Sequence, residues 1–185
     1  MEDAINNLGH IERLTLPPGW VVGNWMRSGS GYAREFHPVA HQETQLVFSY
    51  RGHRLSREAT RAFRTLIDSA PLYGGSFRVD TRLLQTAPLA EVLQELGREK
   101  TFQLLCARLQ RINDEPVLIV EGKYARYDVI AQVVFVDAER AARKSDNAPI
   151  QEITVVAPTR DYYKAAMAAR NALHTVRWKQ PTATH

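Results

Sequence analysis

The stretch from Pro116 to Trp178 constrains this chain most, because it runs three apolar strand patterns and one amphipathic helix pattern together in a single block. Pro116-Val117-Leu118-Ile119-Val120-Glu121-Gly122-Lys123-Tyr124 is β-branched, bounded by turn residues and too short for a typical helix, so it predicts a strand. Tyr127, Val129, Ala131, Val133 and Phe135 recur at period two and face away from Asp128 and Gln132, which predicts a strand with one buried face. Ala125 and Arg126 are too few for a crossover, so these strands are expected to form an antiparallel hairpin. After the loop Lys144-Ser145-Asp146-Asn147-Ala148-Pro149, Ile150 to Val156 supplies a third strand.

The helix pattern begins where Pro158-Thr159 offers a breaker and a hydroxyl cap, with Asp161 adding negative charge in the first turn. Tyr162, Ala166, Ala169, Leu173 and Val176 follow at spacings of four and three, an apolar stripe expected to lie across the sheet. The helix is expected to run from Thr159 to Trp178, with Pro181 blocking its continuation. An antiparallel β-sheet with helices packed on its faces is an α+β arrangement.

At 185 residues the chain is expected to be a single domain, residues 1–185, with loose polar tails at 1–9 and 179–185. Such a length buries ~70 % of the unfolded surface, so no staple is needed. The lone Cys106 excludes an internal disulfide and fits a reducing compartment. No run approaches the ~20 apolar residues of a membrane span. Met1 to Asn7 is polar and acidic where a signal peptide is basic and then apolar, which predicts a cytoplasmic protein. The net charge of +4, from 24 basic and 20 acidic residues, allows an acidic partner.

In the N-terminal half, His10 to Leu16 predicts a strand and Trp20 to Gly31 an irregular stretch whose Ser28-Gly29-Ser30-Gly31 forms a hairpin turn. Tyr32 to His37 and Thr44 to Tyr50 are the next strands, the second with Leu46, Phe48 and Tyr50 on one face. Ser56 to Ala70 is a helix capped by Ser56, with Ala59, Ala62, Phe63, Leu66, Ile67 and Ala70 inward. Leu72 to Arg82 has no period and predicts a surface loop. Pro88 to Leu96 predicts a short helix ended by Gly97, and Phe102 to Ile112 a strand that begins the second half.

This element order, with Val117 to Tyr124, Ile150 to Pro158 and a helix ending His174-Thr175-Val176-Arg177-Trp178, resembles the PsbP-like fold superfamily. The resemblance implies an antiparallel sheet between helices, a PsbP-like sandwich. It also implies a binding role, since that superfamily includes the photosystem extrinsic P subunit, a Ran-GTPase release factor and the Eag secretion chaperones. It carries no catalytic signature, so no functional residue transfers.

Candidate chemistry is sparse. His37, His41 and His53 lie near Glu43 in sequence, and imidazole with carboxylate suits zinc, but Pro38 prevents the helix that would put His37 and His41 on one face. Cys106 sits in an apolar strand, where a thiol is usually inert. Asp114-Glu115 falls at a turn, and Tyr162 and Tyr163 are expected in the core. No catalytic residue, cofactor or metal is expected.

The most concentrated surface feature is basic. Arg57, Arg61 and Arg64 share the outer side of the Ser56 helix and are expected to be exposed, with Arg51 and Arg54 just before it. No aromatic interleaves them, which disfavours nucleic acid, whereas arginine forks suit the carboxylates of an acidic protein surface. Arg51, Arg54, Arg57, Arg61 and Arg64, beside the loop Leu72 to Arg82, are therefore the expected partner-binding residues. The expected function is a non-enzymatic cytoplasmic protein-interaction module, which the resemblance narrows to a chaperone or adaptor of secreted effectors. The alternative is a small hydrolase with a histidine-based site near residues 37–53.

Overall fold

The computed structural model describes residues 4–97, 102–140 and 145–180. In chain order, strands β1 (Ala4–Leu8), β2 (Ile11–Thr15), β3 (Trp20–Ser28), β4 (Gly31–Pro38) and β5 (Gln45–Arg54) lead into helix α1 (Arg57–Asp68). Then come β6 (Ser76–Val79), α2 (Thr81–Leu84), a 3-10 turn at Leu89–Glu91 and α3 (Gln94–Gly97). The second half holds β7 (Phe102–Ile112), β8 (Glu115–Tyr124), β9 (Val129–Asp137), β10 (Pro149–Pro158), α4 (Tyr162–Leu173) and β11 (Arg177–Trp178). The fold class is mixed α+β, with eleven strands in two antiparallel sheets among the described residues.

The larger sheet has the order β3-β4-β5-β10-β9-β8-β7-β6, and the smaller has β1-β2-β11. The predicted hairpin is β8–β9, and the third predicted strand is β10, paired with β9 from Ile150↔Asp137 to Pro158↔Val129. The central strands of the large sheet, β8, β9 and β10, are buried on both sides. On one side Phe36, Phe48, Ile119, Val134 and Ile153 pack against Ile11 and Leu14 of the small sheet and Ala169 and Leu173 of α4. On the other, Leu109, Leu118, Val120, Val133 and Phe135 pack against Phe63 and Ile67 of α1 and against Leu84, Leu89 and Val92. Each large apolar side chain so enclosed contributes about 1.5–3 kcal/mol relative to exposure.

Several expectations change here. β9 does not have one buried face: Ala131 through Asp137 are all buried, because a layer covers each side of the sheet. Tyr127, expected on that buried face, is exposed in the turn before the strand. The supposed N-terminal tail contains β1, paired with β2 at Ile5↔Leu14 and Leu8↔Ile11. Asn7, at φ 55 between them, interrupts the alternation of the strand, so Ile5 and Leu8 both reach the core although three apart, and no period shows in the sequence. Trp20 to Ser28 is β3 rather than irregular; a register shift between Val22 and Trp25 breaks its alternation. The loop from Leu72 contains β6, held at the sheet edge by β7.

The helix after Pro158 is shorter than expected at both ends. Thr159 does not cap it, since its hydroxyl lies 3.0 Å from the Asp128 carbonyl oxygen, and Asp161 occupies the cap position without a side-chain bond to the helix amides. Trp178 belongs to β11, where it pairs with Ile11 and its Nε1 donates to the Ile112 carbonyl at 2.7 Å. Residues 1–3 and 181–185 of the expected tails, Pro181 as the helix stop and Lys144 of the expected loop lie outside the described residues.

Candidate functional site

Helix α1 is held by its apolar side: Ala59, Phe63 and Ile67 are fully buried, and the Ser56 hydroxyl accepts from the Ala59 amide at 3.2 Å. That anchoring turns Arg57, Arg61 and Arg64 toward the connection between β9 and β10. Together with Thr60, Thr65, Arg140 and Ser145 they line a cleft of about 420 Å³ that also contains Asp68 and Asp146.

Three of its four arginines already have carboxylates. Arg57 meets Asp146 at 3.0 Å with both side chains exposed, a pair worth ~0–1 kcal/mol. Arg140 donates from Nε to Asp68 at 3.0 Å. Arg64 is half-buried rather than exposed; its Nε donates at 2.6 Å to Asp137, which is 0 % exposed, and its Nη1 donates to the Ser145 carbonyl at 2.9 Å. These pairs fasten the β9–β10 connection to α1. What remains for a ligand is Arg61, exposed and with no ion-pair partner among the described residues, and the buried Nη2 of Arg64, which has no hydrogen-bond partner among them. An unsatisfied guanidinium N–H beside an unpaired cation leaves the cleft with unused capacity to donate hydrogen bonds.

Arg51 and Arg54 are not part of it. Arg51 is only 6 % exposed: it pairs with Glu152, donates to the Glu91 carbonyl at 3.2 Å and lies over the Phe135 ring. It is a clamp between β5, β10 and the 3-10 turn. Arg54 binds Glu139 through both terminal nitrogens and donates to the Asn147 carbonyl at 2.9 Å. Nor do residues 72–82 line the cleft, so in place of that loop the arginines are accompanied by Arg140, Ser145 and Asp146.

The histidines are not brought together. The register Phe36↔Leu46 sets His37 opposite Gln45, and the eight residue steps from there to His53 span roughly 26 Å. His37 Nδ1 lies 3.0 Å from the Pro38 carbonyl, and exposed His41 is 3.9 Å from Glu43. Among the described residues no group of three or more His, Cys, Asp and Glu side chains is placed to hold a metal. Burial, and then the charge of Glu121, push the Cys106 thiol up, away from the reactive thiolate. Asn113 and Asp114 form the two-residue turn between β7 and β8, both at positive φ. Tyr162 packs partly buried against the core, but Tyr163 is exposed, contrary to expectation, because it points off the opposite side of α4.

Two further groups were missed from the sequence. Glu121 accepts from Arg108 at 2.5 Å and from Gln132 at 2.9 Å beneath α4. Burial pushes its carboxyl up, but those hydrogen bonds outweigh burial and hold it below its ordinary value. At the far sheet edge, the Arg27 and Arg34 guanidiniums lie 5.1 and 5.2 Å from the Trp25 ring centre, and Tyr32 stacks on that ring at 5.9 Å. The spacing of Trp25 and Arg27 was the available signal, since residues two apart share a face of a strand.

No family model matches this chain, and no curated protein matches it.

Proposed function

We propose that this chain is a non-catalytic protein-interaction module whose α1 cleft receives carboxylates of an acidic protein segment. The observation that carries the reading is the pairing deficit in the cleft: among the described residues Arg61 has no acidic partner and the buried Arg64 Nη2 has no acceptor. Arginine forks match carboxylates bidentately, and the Thr65 and Ser145 side chains line the same cleft to accept or donate a further hydrogen bond. A PsbP-like sandwich and a chaperone or adaptor role fit this reading, with the large antiparallel sheet between layers supporting the likeness of architecture alone.

The test is titration of a fluorescein-labelled hexaglutamate peptide, followed by anisotropy at several salt concentrations. Arg57→Glu with Arg61→Glu leaves the fold intact, because both side chains are exposed, and is expected to weaken binding at least tenfold and flatten its salt dependence. Arg64 is left in place, since a carboxylate there would face buried Asp137. Unchanged affinity and salt slope in the double variant would overturn the reading.

A further inference from the structure

We infer that the outer edge of β3 is a docking strand for an extended acidic segment of a partner protein, which adds to the eight-stranded sheet by backbone pairing. This inference is independent of the α1 cleft. Among the described residues β3 is terminal in the sheet and pairs only with β4. Its hairpin closes at Ser28↔Gly31 around two residues, so those two exchange hydrogen bonds and the next pair, Arg27↔Tyr32, does not. The N–H and C=O of Arg27 therefore point to the open edge, as do those of Trp25, opposite Arg34. Trp25 is 41 % and Met26 58 % exposed, so the edge is apolar as well as unpaired.

Charge selects the occupant. Trp25, Arg27, Tyr32 and Arg34 share one face of the β3–β4 hairpin, and neither arginine has an ion-pair partner among the described residues. Strand β3 carries no Asp or Glu, and Glu35 of β4 faces the opposite side, where it accepts from Asn24 at 3.2 Å and Gln45 at 3.0 Å. A second copy of this chain would bring the same cations and no acid to meet them, which disfavours self-pairing. A nucleobase would need an open indole face, yet two guanidiniums and the Tyr32 ring already lie against it. An extended peptide with acids on alternate positions satisfies both the backbone edge and the two arginines.

The probe is a fluorescein-labelled ten-residue peptide of alternating glutamate and valine, titrated against the Arg57→Glu, Arg61→Glu chain so that the α1 cleft does not contribute. Binding is expected to protect the outward amides of Trp25 and Arg27 from hydrogen exchange. Arg27→Pro, which removes an outward N–H but no bond to β4, is expected to weaken it at least tenfold, and Arg27→Gln by less. Trp25→Ala serves as a second variant, with unchanged thermal unfolding showing that each hairpin still folds. The cleft is read separately, as the loss of hexaglutamate affinity caused by Arg57→Glu with Arg61→Glu, and that loss is expected to be the same with and without Arg27→Pro, so failure at one surface is separable from failure at the other. Equal binding by Arg27→Pro and the parent overturns the inference, as does absent protection in β3. Concentration-dependent dimerisation abolished by Arg27→Pro, or displacement of the peptide by a ten-nucleotide oligothymidine, assigns the edge to another occupant and overturns it equally.

Discussion

Arg51 of β5 and Glu152 of β10 form an ion pair with side chains only 6 % and 9 % exposed, and the same guanidinium donates to the Glu91 carbonyl of the 3-10 turn. Removing one member of a buried pair takes from the other the opposite charge that offset its desolvation. Arg51→Ala is therefore expected to destabilise by about 3–5 kcal/mol, read from urea denaturation. Arg51→Met with Glu152→Leu is expected to lose less, although the Glu91 carbonyl is still deprived of its donor. A loss below about 0.5 kcal/mol for Arg51→Ala, typical of surface positions, would show that the clamp is not formed.

Leu173 closes α4 against the core shared by both sheets and is buried. Leu173→Ala is expected to lose ~2–5 kcal/mol, the range for deleting a core leucine side chain beyond Cβ. Met167, exposed on the same helix, provides the control: Met167→Ala is expected to stay within about 0.5 kcal/mol of the parent.

Gly9 combines positive φ with close approach. At φ +58 an added Cβ would stand 2.1 Å from the Tyr32 hydroxyl and 2.8 Å from Oε1 of Gln151. Gly9→Ala is expected to destabilise by about 1–3 kcal/mol through overpacking. It also displaces the Tyr32 hydroxyl, whose pKa burial and neighbouring Tyr50 have pushed up to about 12. Ultraviolet titration of the tyrosines should then show one group moving down toward its ordinary value; an unmoved titration would mean that the hydroxyl had not been displaced.

Glu121 gives stability a defined pH dependence. Its folded pKa lies below its unfolded value because the Arg108 and Gln132 hydrogen bonds outweigh burial. Its contribution is thus fully present above the unfolded value, near 4.5, and is lost as pH falls through the folded one. Glu121→Gln is expected to flatten the acid limb of stability below that pH while lowering the plateau above it. Denaturation midpoints measured from pH 7 down to pH 3 check this, and an acid limb as steep in the variant as in the parent would contradict it.

Much of the secondary structure was legible in local chemistry. The capped helix α1, the β8–β9 hairpin and strand β10 follow from periodicity, β-branching and turn residues, which act over a few positions and need no distant partner. The elements that local pattern hid were those set by register and pairing: β1 through its phase shift at Asn7, β3 through its irregularity, and β11 through its seat on β2.

The clustering of Arg57, Arg61 and Arg64 was likewise determined by the sequence, because residues three and four apart share a helix face. Whether each was free was decided only by tertiary structure. Asp137, Asp146 and Asp68 reach these arginines and Arg140 through pairings that span up to 89 positions, while Glu152 takes Arg51 across 101. An arginine's availability depends on which carboxylate the fold carries to it, and sequence separation holds no record of that distance. Trp25 follows the same rule: its spacing from Arg27 is local, but the second guanidinium arrives from β4, and the edge is open because no later strand among the described residues pairs beside β3.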